Sequence, residues 1–101
     1  MQLQLHLVYA LLSASAEFIG AYGIDPVVGL TGASVHEAMT DRNLLRGFDS
    51  IVVLADGSKF NQRGPVRLAL VDQITTLITD PTAPPDDLRA LSEAGVDVRV
   101  V

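Results

Sequence analysis

In "LADGSKFNQRG", residues 54 to 64, Asp56, Gly57, Ser58 and Lys59 follow directly on an apolar run. An acid, a hydroxyl and an ammonium group this close together either solvate a surface turn or hold an anion. A lysine carries a compact charge suited to phosphate, and glycine lets main chain come close to a bound group. A second set lies in "GAYGIDPVVGLTG", residues 20 to 32, with Gly20, Gly23, Gly29, Gly32, Asp25 and the Thr31 hydroxyl. Local chemistry offers a plainer account of the acids: Asp56 caps a turn, and Asp25 starts one before Pro26. A single lysine is more often a solvated surface residue than a ligand, so both readings stand at this level. His6 and His36 have no second ligand at metal-binding spacing, and the chain has no cysteine. The G-x-S-x-G, H-E-x-x-H and G-x-x-x-x-G-K-[ST] patterns are absent. Neither a metal, a cofactor nor nucleophilic catalysis is expected.

The elements that would position these groups follow from the hydrophobic pattern. "SIVVLAD" (50–56) and "TTLITD" (75–80) read as strands, the first buried on both faces. "APPDDLRALSEAGVDVRVV" (83–101) has proline at a helix start, Asp86 and Asp87 in the first turn against the positive end of the helix dipole, and Gly95 as the stop. "VDVRVV" then closes the chain as a strand. "SVHEAM" (34–39) carries the capping-box spacing at Ser34 and Glu37. A helix is expected there, with Val35, Ala38, Met39 and Leu45 as its core face and Gly47 as its end. "VRLALVDQI" (66–74) reads equally as strand or short helix, and residues 22 to 32 read as a turn-rich loop after the apolar run "AEFIGA" (16–21). Strands alternating with helices predict an α/β fold: a mostly parallel, Rossmann-like sheet with flanking helices. In such a sheet ligands collect beyond the carboxyl ends of the strands. "GAYGID" (20–25), "ADGSKF" (55–60) and "TDP" (79–81) should therefore be neighbours in space.

The 101 residues suffice for one domain that buries roughly 60 to 70% of its unfolded surface. A hydrophobic fraction of 49% with 19% charged residues argues for an ordered globular chain and against disorder. The net charge of −5 gives no basic footprint for a nucleic-acid backbone, so no direct DNA contact by this chain is expected. The absence of cysteine suits a reducing cytoplasm. Residues 1–15 stand apart. They contain a short apolar stretch, but Gln2, Gln4 and His6 interrupt it and the first basic residue is Arg42, which argues against a secretory signal. They read as strand or helix, and no stretch of the chain is apolar for long enough to span a membrane.

"EFIGAYGIDPVVGLTG", "VVLADGSKFNQRG" and "ITTLITDPTAPPDDLRALSEAGVDVRVV" together resemble the C-terminal half of the sensor domain of DeoR-type bacterial transcriptional repressors. The resemblance runs from Ala16 to Val101, and its specific parts are F-x-G-A-x-G-I-D-x-x-x-G-L-T, L-A-D-x-S-K-F and L-I-T-D. It implies a fold shared with sugar-phosphate isomerases and deaminases, with a phosphorylated sugar bound at the strand ends. By that similarity Lys59 takes the phosphate, helped by Ser58 and Asp56 of the same turn, while Gly23, Asp25 and Thr31 line the sugar side. Gly57 departs from the family's usual polar residue and is expected to loosen the turn. The helix-turn-helix that begins such regulators, and a first sensor half with a Gly-Thr-Thr loop, do not appear in the sequence. Residues 16–101 are thus expected to form a partial, truncated sensor domain, non-catalytic and homo-oligomeric or paired with the missing half. Two other readings remain at this stage. One is an isomerase- or deaminase-like fragment with Asp25 or Asp56 as base, and the other is a structural remnant that binds nothing.

Overall fold

A computed structural model describes residues 16–34, 36 and 49–101. The features expected of residues 1–15, and of the helix after Ser34 with its end at Gly47, lie outside the described residues. Four strands, β1 (Ala16–Gly20), β4 (Ser50–Leu54), β6 (Thr76–Thr79) and β7 (Asp97–Val100), form a parallel sheet in the order β1-β4-β6-β7. Val52 and Val53 of β4 point to opposite faces and neither is exposed, as its unbroken apolar run requires. On one face Ile51, Val53 and Leu77 pack with Leu91, Ala83 and Val96, joined by Ile19, Leu88 and Val98.

Parallel strands need a crossover, and a helix, α1 (Pro85–Glu93), provides it between β6 and β7. Pro85 occupies the first helical position, where its missing N–H costs nothing, and Asp86 and Asp87 follow in the first turn. The helix stops in a Schellman motif: the Gly95 N–H donates to the Ser92 carbonyl (3.0 Å) and the Val96 N–H to the Leu91 carbonyl (3.0 Å). The motif needs a left-handed residue, and Gly95 has φ +104°. Leu91 and Val96, the hydrophobic pair across the stop, are both buried.

A second sheet was not expected from the sequence. β2 (Gly23–Asp25), β3 (Gly29–Gly32) and β5 (Val66–Ala69) pair antiparallel in the order β2-β3-β5. The stretch read as a turn-rich loop therefore contains a hairpin. Its strands are three and four residues long, too short for alternation to show. Ile24 and Leu30 are paired across the hairpin and wholly buried. The ambiguous stretch 66–74 resolves into both alternatives, β5 and then a 3-10 turn at Val71–Gln73.

Candidate functional site

Parallel register puts the strand ends together. Gly20 pairs with Leu54, Leu54 with Ile78, and Thr79 with Val100. The main chain continues the ladder one step further, with the Ala21 N–H donating to Leu54 and the Ala55 N–H to Ile78, both at 3.1 Å. "GAYGID", "ADGSKF" and "TDP" thus leave one edge of the sheet, as expected.

After β4 the chain enters a 3-10 turn, Gly57–Asn61. Asp56 caps it, accepting from the Ser58 N–H (2.9 Å) and from the Ser58 hydroxyl. Phe60, 7% exposed, anchors the turn in the core, which leaves Asp56 and Ser58 exposed and Lys59 half-buried. Lys59 makes no ion pair among the described residues. The Ser58 hydroxyl and N–H hold the Asp56 carboxyl below the ordinary carboxylate value, and the Lys59 charge adds to that lowering.

The chain repeats this pattern after β6. Asp80 accepts from the Thr82 N–H (2.9 Å) and from the Thr82 hydroxyl. The two turns are joined, because the Gly57 N–H donates to Thr82 Oγ1 (3.2 Å). Gly57 does not loosen the turn. A β-carbon there would lie 2.4 Å from the Thr82 carbonyl carbon and 2.5 Å from its oxygen, so the close approach of two main chains demands glycine.

Gly23, Asp25 and Thr31 form a bracket onto the segment that follows the lysine turn. Thr31, 2% exposed, donates to the Gly23 carbonyl (3.3 Å) and accepts from the Gly64 N–H (2.8 Å). A β-carbon at Gly23 would stand 2.1 Å from the Gln62 carbonyl oxygen, so this glycine serves a contact within the protein. Asp25 accepts from the Val27 and Val28 N–H groups (2.7 and 2.8 Å) and from the Arg63 guanidinium (2.8 Å). Partial burial pushes the Asp25 carboxyl up, but the Val28 N–H, Arg63 and the Val27 N–H outweigh it and the carboxyl sits below its ordinary value.

The six residues singled out in the sequence therefore fall into two groups. Asp56, Ser58 and Lys59 form a turn at the strand ends whose charge and hydroxyl reach solvent, while Gly23, Asp25 and Thr31 hold the hairpin to residues 62–64 with their polar groups already engaged. Three contributors escaped sequence reasoning. Arg63 pairs with Asp25 across 38 residues, a distance no local pattern spans. Asp80 and Thr82 were legible as a second acid-x-hydroxyl turn matching Asp56 and Ser58. Among the described residues no group of three or more His, Asp or Glu side chains is arranged to hold a metal. What the turn presents at the strand ends is one half-buried ammonium, Lys59, beside an exposed carboxylate and hydroxyl that bond to each other.

The parallel sheet, its helix and the second small sheet define an α/β domain. The chain belongs to the DeoR C terminal sensor domain family, whose model matches residues 7–81. It is 32% identical over 84 residues to a protein of Escherichia coli O157:H7 provisionally named an aga operon transcriptional repressor, covering 83% of this chain and 31% of that relative. It is 32% identical over 81 residues to the HTH-type transcriptional regulator GlpR of Haloferax volcanii, with 80% and 32% covered. It is 30% identical over 91 residues to the HTH-type transcriptional regulator UlaR of Shigella dysenteriae, with 85% and 36% covered. The chain thus spans about a third of the length of the curated relatives it matches.

Proposed function

We propose that this chain is the effector-binding part of a DeoR-type transcriptional regulator, that its effector is a phosphorylated sugar, and that the phosphate docks on the Asp56–Lys59 turn. The observation that carries this reading is the placement of Lys59 at the carboxyl edge of a parallel sheet, half-buried and without an ion pair among the described residues. Asp56 gives the turn two states. Its carboxylate holds both the N–H and the hydroxyl of Ser58, the groups a phosphate oxygen would take. A phosphate attracted by Lys59 competes with the Asp56 carboxylate and repels it, so the liganded turn differs from the free one. That difference in affinity for two arrangements is what a population shift requires. Turnover is disfavoured by Asp25, whose carboxyl is occupied by a guanidinium and two N–H groups and held at low basicity.

Reading of DNA belongs to another segment or chain, since the net charge here is −5. The site of action is the cytoplasm, with small-molecule effector and regulator. No helix among the described residues is long and apolar enough to cross a membrane. A thermal-shift panel of aldose and ketose phosphates, each against its unphosphorylated sugar, tests the proposal. A ligand at about 100 times its dissociation constant stabilises the fold by about 2.7 kcal/mol. A shift with a phosphorylated sugar and none with its parent supports sensing. No shift with any compound, or equal shifts for both forms, leaves a structural module and defeats the reading.

A further inference from the structure

β7 lies at the end of the parallel sheet, and among the described residues it has a strand neighbour on one side only. Among the described residues its outer edge is unpaired, and Asp97, Arg99, Val100 and Val101 are exposed, the two valines by 51% and 44%. The hydrogen-bonding direction of each residue is fixed by the inner side. The Asp97 N–H donates to Thr75 (3.0 Å) and the Val101 N–H to Thr79 (2.9 Å), so residues 97, 99 and 101 address β6. By alternation along the strand, Val98 and Val100 present their N–H and C=O groups outward. Val98 packs its side chain on the core, which puts Asp97 and Arg99 together on the opposite face, where they touch at 3.0 Å.

We propose that this edge pairs antiparallel with β7 of a second copy about a two-fold axis through Val98, joining two four-stranded sheets into one. Three features select this register. Val98 directs both main-chain groups outward, so Val98 opposite the partner subunit's Val98 makes a hydrogen-bonded pair, as a two-fold axis at that residue requires. The flanking positions then form non-hydrogen-bonded pairs, whose Cα atoms stand only about 4.5 Å apart. There Asp97 meets the partner's Arg99, and Arg99 the partner's Asp97, so the Asp-Val-Arg sequence is complementary to itself when reversed. Val100, 51% exposed, also turns its main-chain groups outward and is covered beside the partner's Val96, whose N–H stays with Leu91, so this outer pair relies on the Val100 N–H alone. Charges on an open edge ordinarily prevent pairing, but opposite charges two residues apart around an outward-facing valine favour this one alignment. The surface is independent of the Lys59 turn.

Sedimentation equilibrium of the full chain tests the register through charge exchange. The wild type dimerises. Asp97→Arg places arginine against arginine twice, Arg99→Asp places aspartate against aspartate twice, and each raises the dimer dissociation constant about tenfold or more. The double exchange Asp97→Arg/Arg99→Asp restores the dimer. Mixing the two single variants forms a heterodimer, because each residue then faces its opposite across the axis. Both positions are exposed, and thermal melts of each variant check folding. Amide exchange at Val98 and Val100 slows as concentration rises, while that at Arg99 is protected throughout. A wild type that stays monomeric at millimolar concentration overturns the proposal. So does a dimer indifferent to the single exchanges, or a mixture that yields no heterodimer.

Discussion

Asp56–Gly57–Ser58 and Asp80–Pro81–Thr82 leave adjacent strands of one sheet with the same internal hydrogen bonds, an aspartate accepting from the N–H and hydroxyl two residues on. Their surroundings separate them. The Thr82 hydroxyl also accepts from the Gly57 N–H, Pro81 stiffens the turn from within, and the Ala83 N–H closes it on the Asp80 carbonyl (3.2 Å). The Ser58 hydroxyl has no bond beyond its own aspartate among the described residues, and its turn continues into Lys59 with that side chain free of ion pairs. Identical local hydrogen bonding serves as a clamp between strands in one turn and faces solvent in the other, where we propose that the anion docks. What decides the role is whether the hydroxyl is spent on a neighbour.

Substitutions that attack the clamp should outweigh those that attack the open turn. Gly57→Ala has the largest expected effect, about 3 kcal/mol of destabilisation in urea titration, the upper end for overpacking, because its β-carbon would meet Thr82 main chain. Gly20→Ala at the same sheet edge, with nothing within 4 Å of its β-carbon, should stay within about 0.5 kcal/mol of wild type. Thr82→Val leaves the buried Gly57 N–H without its acceptor and should cost about 2 kcal/mol. Ser58→Ala, which removes an exposed hydroxyl, should cost less than about 0.5 kcal/mol. Equal losses for Thr82→Val and Ser58→Ala would erase the distinction.

The bracket behind the turns gives a pH-dependent test. Asp25 has a folded-state value lowered from 3.8, so its contribution is full above the unfolded value and is lost as pH falls through the folded one. Arg63 is 65% exposed, and solvent screening holds the stability difference between wild type and Asp25→Asn to about 1 kcal/mol at neutral pH. That difference should shrink below about pH 4. A difference that grows on acidification would contradict the ion-pair account. Thr79 offers the opposite sign. Its hydroxyl, at the end of β6 and 3% exposed, has no hydrogen-bond partner among the described residues. Thr79→Val should therefore stabilise by about 1 kcal/mol, and a loss of that size would mean that the hydroxyl has a partner in solution.

The parts of this fold that were legible in the sequence are those coded by contiguous runs. β4 announced itself by Ile51 to Leu54, and α1 by its prolines, its acidic first turn and Gly95. The hairpin escaped because Ile24 and Leu30 stand alone between turn residues, and only their pairing makes strands of them. The candidate site divides in the same way. Lys59 and its acid-x-hydroxyl turn are local and could be read directly. The engagement of Asp25 by Arg63 and of Thr31 by Gly64 depends on contacts across more than thirty residues. Gly57 looked like a loosening substitution because its reason, the main chain of Thr82, lies on the next strand.

The central claim is that the Lys59 ammonium captures the phosphate of a sugar effector at the strand ends. Calorimetric titration of wild type and Lys59→Ala with the same sugar phosphate tests it most directly. The account predicts that the substitution weakens binding by about tenfold or more, the size of a lost charge-assisted hydrogen bond, and moves unliganded stability by less than about 0.5 kcal/mol. Equal affinity in the two proteins would contradict it.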